Sequence, residues 1–202
     1  MAKPAWLTTS PTTGSGNGTI SNSASAHTGR VARTGTVTVT ATGVTNPVTY
    51  SVTQTPLAEF ASFDDGASMA APKAGGTVTV TGKSNSSKLT FSWSGTVSDV
   101  TIPTTYTAAG ASATNGTAIS GDPGATSQFA FSVSLTFPAN ATISEITRSL
   151  IVTDNAGDTA QIAIVQAAGD ATLSVSPSSI TIPQAGTAQS VTVTSNTSWS
   201  VS

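Results

Sequence analysis

The sequence predicts an all-β protein made of tandem β-sandwiches, one complete and one split between the two ends of the chain. Three observations support this. Apolar and polar residues alternate in short runs, as in Thr36–Thr40 and Thr77–Thr81, and a period of two is typical of half-buried strands. Clusters of Gly, Asn, Asp and Pro separate the runs, which is turn chemistry. The chain also repeats itself: along it, the second half of a sandwich repeat is followed by a first half, then by another second half and another first half.

The predicted strands follow one another without a helical segment. Thr36–Thr40 and the run with Val48, Tyr50 and Val52 form a hairpin, with Asn46-Pro47 before its second strand. The later runs carry their apolar residues at Val78 and Val80; Leu89, Phe91 and Trp93; Phe129, Phe131, Val133 and Leu135; Leu150 and Val152; Ile162 and Ile164; and Val191 and Val193. Short strands at this spacing favour a sandwich over a parallel α/β sheet.

Self-comparison divides the chain into halves of one repeat. Residues 33–54 match 148–166, and residues 74–94 match 185–200. The matches predict three segments: a C-terminal half sandwich at 1–55, a complete sandwich at 56–169 and an N-terminal half sandwich at 170–202. Since half a sandwich cannot cover both of its sheets, we expect each end to need a partner.

The two end segments resemble BACON domains, immunoglobulin-like modules abundant in gut Bacteroidetes and in their phages. The resemblance rests on the opening Leu173–Pro177, the Ser198-Trp199 strand, the step from Trp6 to Pro11, the turn Gly14–Gly18 and the ending Val52–Gln54. The middle segment is similar more loosely, because it lacks the glycine turn. The resemblance implies immunoglobulin-like sandwiches, and it suggests carbohydrate or mucin binding as one function.

The composition excludes several classes of function. Charged residues are only 8% of the chain and the net charge is −2, so we expect no nucleic-acid partner. No apolar segment has the length of a membrane span or of a secretory signal, so we expect a location on a virion surface, or outside the cell by a non-classical route. Five Asn-x-Ser/Thr sequons occur, at Asn17, Asn85, Asn115, Asn140 and Asn196. Chance explains them in a chain this rich in Ser and Thr.

Residues for catalysis are scarce, and we expect no enzyme, no cofactor and no metal. His27 is the one histidine and cysteine is absent, so a relay or closed ligand set cannot form around it, and a solvated loop is expected. Asp64-Asp65 and Asp154–Asp158 could bind calcium, but Asp and Gly are also preferred turn residues. Glu59 and Glu145 are the only glutamates, and nothing pairs them. Gly14–Gly18 is expected to be a tight turn.

The aromatic residues allow two interpretations. Trp93 and Trp199 occupy the same repeat position in an alternating strand, which predicts burial in two cores. Exposed aromatic faces would instead stack on sugars. Tyr106, in an irregular stretch, is the candidate for an exposed ligand contact.

The split repeat predicts assembly. Truncation of a longer array, closure within one chain and exchange between chains would each explain it, and the short connections near residues 55 and 169 favour exchange. The expected interface consists of Val37, Val39, Tyr50 and Val52 with Val175, Ile182, Val191, Val193 and Trp199. The expected function is a non-catalytic phage virion component, a capsid decoration or fibre, whose partners are its own copies or other virion proteins. A glycan-binding module and a head-to-tail bacterial surface filament are the alternatives.

Overall fold

The computed structural model describes residues 3–202, and their regular structure is all-β except for one 3₁₀ turn at Pro123–Ala125. This confirms the predicted all-β class. The strands are β1 (Leu7–Ser10), β2 (Ser21–Ala24), β3 (Arg33–Val39), β4 (Val48–Gln54), β5 (Ala61–Phe63), β6 (Ser68–Ala71), β7 (Gly76–Ser84), β8 (Thr90–Trp93), β9 (Thr105–Ala108), β10 (Ala111–Thr114), β11 (Phe129–Phe137), β12 (Ile146–Thr153), β13 (Thr159–Gln166), β14 (Leu173–Ser176) and β15 (Thr192–Ser195).

Strands β5 to β13 form a β-sandwich of two sheets. One sheet has the order β10-β9-β11-β7-β5 and the other the order β6-β13-β12-β8. Neighbouring strands are antiparallel except β6, which runs parallel to β13. Val80 and Leu135 from the first sheet and Leu150 and Ile162 from the second are each 0% exposed and belong to one core.

The alternation of β11 explains how the core is filled. Every second residue of Phe129–Phe137 is buried. Phe131 meets the ring of Phe91 edge-on at 5.6 Å between centroids, and Phe91 meets Tyr106 in the same way at 5.0 Å. Such edge-to-face pairs stabilise a core beyond the area that they bury.

The N-terminal segment consists of two hairpins, β1–β2 and β3–β4. They meet where the Arg33 guanidinium lies 4.7 Å from the centre of the Trp6 ring. Gly35 permits this approach, because a Cβ at that position would lie 2.7 Å from Pro4 Cγ. Leu7 of β1 is buried, with 1% of the residue exposed. The segment therefore has a small core of its own.

The C-terminal segment has a single hairpin among the described residues, β14–β15. Its apolar side chains face solvent, with 64% of Leu173 and 60% of Ile182 exposed. The hairpin thus has a strand pair but no covering sheet.

No helix within residues 3–202 is long and apolar enough to cross a membrane. The immunoglobulin-like strand order and the segment boundaries at 55/56 and 169/170 stay predictions.

Candidate assembly site

Hairpin β3–β4 repeats the register of β12–β13 in the sandwich. Val37 lies opposite Tyr50 in the first, and Leu150 lies opposite Ile162 in the second. Val37 therefore corresponds to Leu150, and Tyr50 to Ile162.

Each of these hairpins ends on a glutamine that an arginine binds. Arg33 Nε donates to Gln54 Oε1 over 2.9 Å, and Arg148 Nη1 donates to Gln166 Oε1 over 3.1 Å. The strand register nevertheless puts Gly35, not Arg33, in the place of Arg148. Aligning the two arginines by sequence is therefore wrong by two residues in the strand register. Their long side chains reach equivalent glutamines from different positions along the strand.

The corresponding faces differ in what covers them. On the sandwich face Leu150, Val152, Ile162 and Ile164 are buried, and Ala160, the counterpart of Val48, is half-buried. On the N-terminal face Val37 is 6% exposed, but Val39 is 40% and Val48 is 68% exposed, while Tyr50 and Val52 are half-buried. The N-terminal hairpin therefore carries the residues of a core face that is only partly covered, with its exposed end at Val39 and Val48.

Hairpin β14–β15 repeats the register of β5–β7 in the same way. Leu173 lies opposite Ser195 as Ala61 lies opposite Ser84. In the sandwich, β7 continues the sheet by pairing with β11. Within residues 3–202, β15 pairs with β14 alone, so its other edge is unpaired.

The nine residues predicted to form the assembly interface lie in two separate sets. Among the described strands, none of β1–β4 pairs with β14 or β15, so one chain does not bring the sets together by strand pairing. In the C-terminal set the exposed fractions are 53% for Val175, 60% for Ile182, 40% for Val191 and 53% for Trp199, and Val193 is half-buried. Val37 is already covered within its own segment.

Asn85 bonds to the backbone at the first junction, where the N-terminal segment meets the sandwich. It is 0% exposed. Its Oδ1 accepts the N–H of Phe60 over 2.9 Å, and its Nδ2 donates to Thr28 O over 3.2 Å and to Ala58 O over 3.0 Å. Thr28 belongs to the N-terminal segment, and residues 58–60 lead into the sandwich. The amide therefore holds one segment against the next.

Asn196 makes the same set of bonds at the second junction, where the sandwich meets the C-terminal segment. Its Oδ1 accepts the N–H of Thr172 over 2.8 Å, and its Nδ2 donates to Ala141 O over 2.9 Å and to Asp170 O over 2.8 Å. Ala141 belongs to the sandwich, and residues 170–172 lead into β14. Residues 173–202 are thus held against the sandwich as the sandwich is held against the N-terminal segment.

The backbone contacts of the two junctions repeat as well. Leu57 donates its N–H to Gly29 O over 2.9 Å, and Gly169 donates its N–H to Thr142 O over 2.7 Å. Both donors lie in the connecting segments, and both acceptors lie in loops of the preceding unit. The junction is therefore a repeated structural feature of this chain.

Ion pairs span both junctions. Arg30 binds Asp122 through two hydrogen bonds, and this partner raises the pKa of the Arg30 guanidinium. Lys73 pairs with Asp170, but the two side chains are 50% and 79% exposed. An exposed pair of this kind contributes little to stability.

His27 has a structural position in the first junction. Its Nε2 lies 2.7 Å from Val31 O, and the tautomer with a proton on Nε2 donates this bond. Asn140 Nδ2 makes the equivalent bond four residues along, to Ser144 O, over 2.8 Å. His27 is half-buried, so the predicted solvated loop is only partly correct.

Sequence reasoning missed the asparagines. Asn85, Asn140 and Asn196, three of the five sequon positions, are hydrogen-bonded residues of the junctions. For Asn85 and Asn196 the signal was the triplet Ser84–Ser86, which recurs as Ser195–Thr197 at the corresponding register position. Chance is therefore not the whole explanation of the sequons.

The prediction that Tyr106 is exposed is wrong. Only 5% of this residue is exposed, because it lies on β9 with its ring packed edge-on against Phe91. Burial raises the pKa of the Tyr106 phenol. Tyr106 is thus a core residue and is not available to a ligand.

We expect the buried phenol to be visible in an alkaline titration. In a Tyr50→Phe variant Tyr106 is the one remaining tyrosine, and its absorbance change should begin above pH 10, the ordinary range of the phenol. Because the raised pKa belongs to the folded state, its stabilising contribution is complete below pH 10 and is lost as the pH rises through the folded value. Titration at the ordinary pH in protein that is still folded by circular dichroism would contradict the burial.

The two tryptophans of the repeat differ. Trp93 is partly buried against the core, and its Nε1 donates to Val100 O over 2.8 Å. Trp199 is 53% exposed and borders an open depression with Ile143 and Asn196. The prediction that both are buried is therefore wrong for Trp199 in the single chain, because no sheet formed by residues 3–202 lies over this part of the C-terminal segment.

Asp154 forms a turn at the tip of β12–β13. Its Oδ1 accepts the N–H of Gly157 and the N–H of Asp158, both over 2.9 Å. Glu59 accepts from Ser86 Oγ over 2.6 Å. Across residues 3–202, no group of three or more His, Cys, Asp or Glu side chains could hold a metal ion.

Arg148 is a buried cation at the edge of the sandwich core. It is 5% exposed and lies 5.5 Å from the centre of the Phe137 ring. It binds Asp99 through two hydrogen bonds, which hold the pKa of the Asp99 carboxyl below its usual range. This pair attaches the loop before β9 to β12.

Comparison with known proteins adds no family. No protein-family profile matches the chain, and no curated protein matches it.

Proposed function

We propose that this protein is a non-catalytic structural component whose copies assemble head to tail, the half sandwich at residues 1–55 of one copy closing on the half sandwich at residues 170–202 of the next. The supporting observation is the complete sandwich within the same chain. There, Val152, the counterpart of Val39, is 0% exposed and belongs to the same core as Val80 of β7, the strand that corresponds to β15. Each chain thus carries both halves of a second sandwich and a complete example of how such halves fit.

The repeated junction supports propagation in one direction. Asn196 positions the C-terminal segment relative to the sandwich as Asn85 positions the sandwich relative to the N-terminal segment. A second copy that completes the C-terminal segment therefore enters with the orientation of a next repeat. A contact between two different surfaces of this kind generates a ring or an open filament.

The apolar residues supply a driving force for closure. Val39, Val175 and Ile182 are 40%, 53% and 60% exposed, and full burial of such a side chain stabilises by about 1.5–3 kcal/mol. Closure would also cover unpaired strand edges, which otherwise promote aggregation. The resemblance to BACON domains suggests a phage virion surface, as a capsid decoration or fibre, as the place of this assembly, with other virion proteins as further partners.

A pair of substitutions on one strand tests the assembly. Val175→Asp should turn multimers of the 19.9 kDa chain into monomers, because a carboxylate on the closing face cannot be buried unpaired. Ser174→Asp is the matched control, since it puts the same charge on the opposite face of β14. Both residues are exposed in the single chain, so neither change should alter its folding. Light scattering coupled to size exclusion measures the result.

Two outcomes would contradict the proposal. One is an unsubstituted chain that remains monomeric at the highest soluble concentration. The other is an equal loss of multimers in both variants, which would indicate a general effect of charge. Removal of the residues after Ala171 gives a second measurement, and it should also leave monomers.

Glycan binding is the second candidate, and one observation favours it. Trp199 is 53% exposed and lies beside polar residues of the 195–198 segment, as an aromatic platform for a sugar would. The two functions make different predictions for the Trp199 indole in the assembled state. Head-to-tail assembly covers the indole, whereas glycan stacking requires it to stay exposed.

A further inference from the structure

We infer that the unpaired edge of β15 of one copy adds to the unpaired edge of β2 of a second copy, antiparallel, with Ile20 of the one opposite Val191 of the other. The inference rests on the proposed head-to-tail assembly and specifies its register. Ile20 is 37% and Val191 40% exposed in the single chain.

The position of β2 follows from the junction. His27 and Asn140 make equivalent hydrogen bonds, and the backbone bonds at Gly29 and Thr142, two residues after each of them, are equivalent as well. Ile20 lies seven residues before His27, and Val133 lies seven residues before Asn140. The strand β2 therefore corresponds to the end of β11, with Ile20 in the place of Val133.

The free edge of β2 corresponds to the edge of β11 that pairs with β7. In the sandwich, Ala130 O accepts a bond from the β9–β10 turn, so the odd-numbered residues of β11 direct their backbone groups to β7. In the N-terminal segment, the N–H of Ser25 donates to Trp6 O beside β1. Ile20 and Ala24 then direct their backbone groups to the opposite edge, which within residues 3–202 has no strand partner.

The position of β15 follows from its pairing with β14. Ser195 corresponds to Ser84 because both lie opposite the first residue of the preceding paired strand. Val191 lies four residues before Ser195, as Val80 lies four residues before Ser84. In the sandwich Val80 lies opposite Val133. The same pairing between copies places Val191 opposite Ile20.

The polar face supplies an independent match. Next to the Val80 pair, Thr79 Oγ1 and Ser134 Oγ lie 3.1 Å apart across the two strands. The corresponding residues between copies are Ser190 and Ser21, both exposed hydroxyl residues. The inferred register therefore pairs hydroxyl with hydroxyl on the outer face and apolar with apolar on the inner face.

Cysteine cross-linking between two variants tests the register, since the chain has no cysteine of its own. A mixture of the Ser21→Cys and Ser190→Cys chains should form a disulfide-linked dimer on mild oxidation. The off-register control replaces Ser190→Cys by Thr192→Cys, which lies two residues along on the same exposed face. We expect the in-register pair to react at least about tenfold faster, because directly opposite residues approach to disulfide distance and diagonal ones do not. Thr79→Cys with Ser134→Cys in one chain calibrates the rate.

The outcomes separate the register from the assembly. If multimers form but the off-register pair reacts as fast as the in-register pair, the inferred register is wrong and the proposed function is unaffected. A chain that stays monomeric, with no dimer from either mixture, overturns both. A chain carrying Ser21→Cys and Ser190→Cys that forms only an internal disulfide shows closure within one copy, which also overturns both.

Discussion

Replacement of Asn85 with alanine is expected to lower the free energy of unfolding of the sandwich by about 3–5 kcal/mol. The change leaves the N–H of Phe60 and the carbonyls of Thr28 and Ala58 without their partner. A buried polar group left unpaired costs about 1–3 kcal/mol, and Asn85 is 0% exposed. Urea denaturation followed by circular dichroism measures the loss.

Asn196→Ala is the matched control for this prediction. It removes the same three bonds, but at a half-buried site where water replaces them, so we expect a cost below about 1 kcal/mol. Equal effects of the two substitutions would show that burial does not decide the strength of the junction. In assembled multimers the control should become costlier, because closure of the C-terminal half buries the site.

Leu150→Ala is expected to destabilise the sandwich by about 2–5 kcal/mol, the usual cost of a cavity at a buried leucine. Leu150 is 0% exposed and lies between Trp93 of β8 and Ile162 of β13. Thermal unfolding followed by circular dichroism measures the change.

Val48→Ala is the control on the corresponding N-terminal face. Val48 is 68% exposed, so its truncation in the monomer should change the free energy of unfolding by less than about 0.5 kcal/mol. The sandwich has an alanine, Ala160, at the corresponding position. A large effect of Val48→Ala in the monomer would mean that this face is already covered, and would argue against closure by a second copy.

The repeat was predictable because it resides in local patterns. Alternation placed Val37, Tyr50, Leu150 and Ile162 on strand faces, and the structure gives their two hairpins the same register. The junctions were less visible. Asn85 is one of many polar residues in the sequence, and its importance depends on Thr28, distant in sequence, which folding brings against its amide.

The sequence by itself determined the strands and the period of two, because a strand face is fixed by side chains that neighbour each other in the chain; the order of the half-repeats stays a prediction. Only the tertiary structure decided which of these faces is covered. Tyr106 and Trp199 show the difference. The first is buried because Phe91 of the facing sheet lies against it, and the second is exposed because no second sheet in the described part of the chain covers its segment. Burial depends on what packs from elsewhere, and alternation along one strand carries no information about that partner.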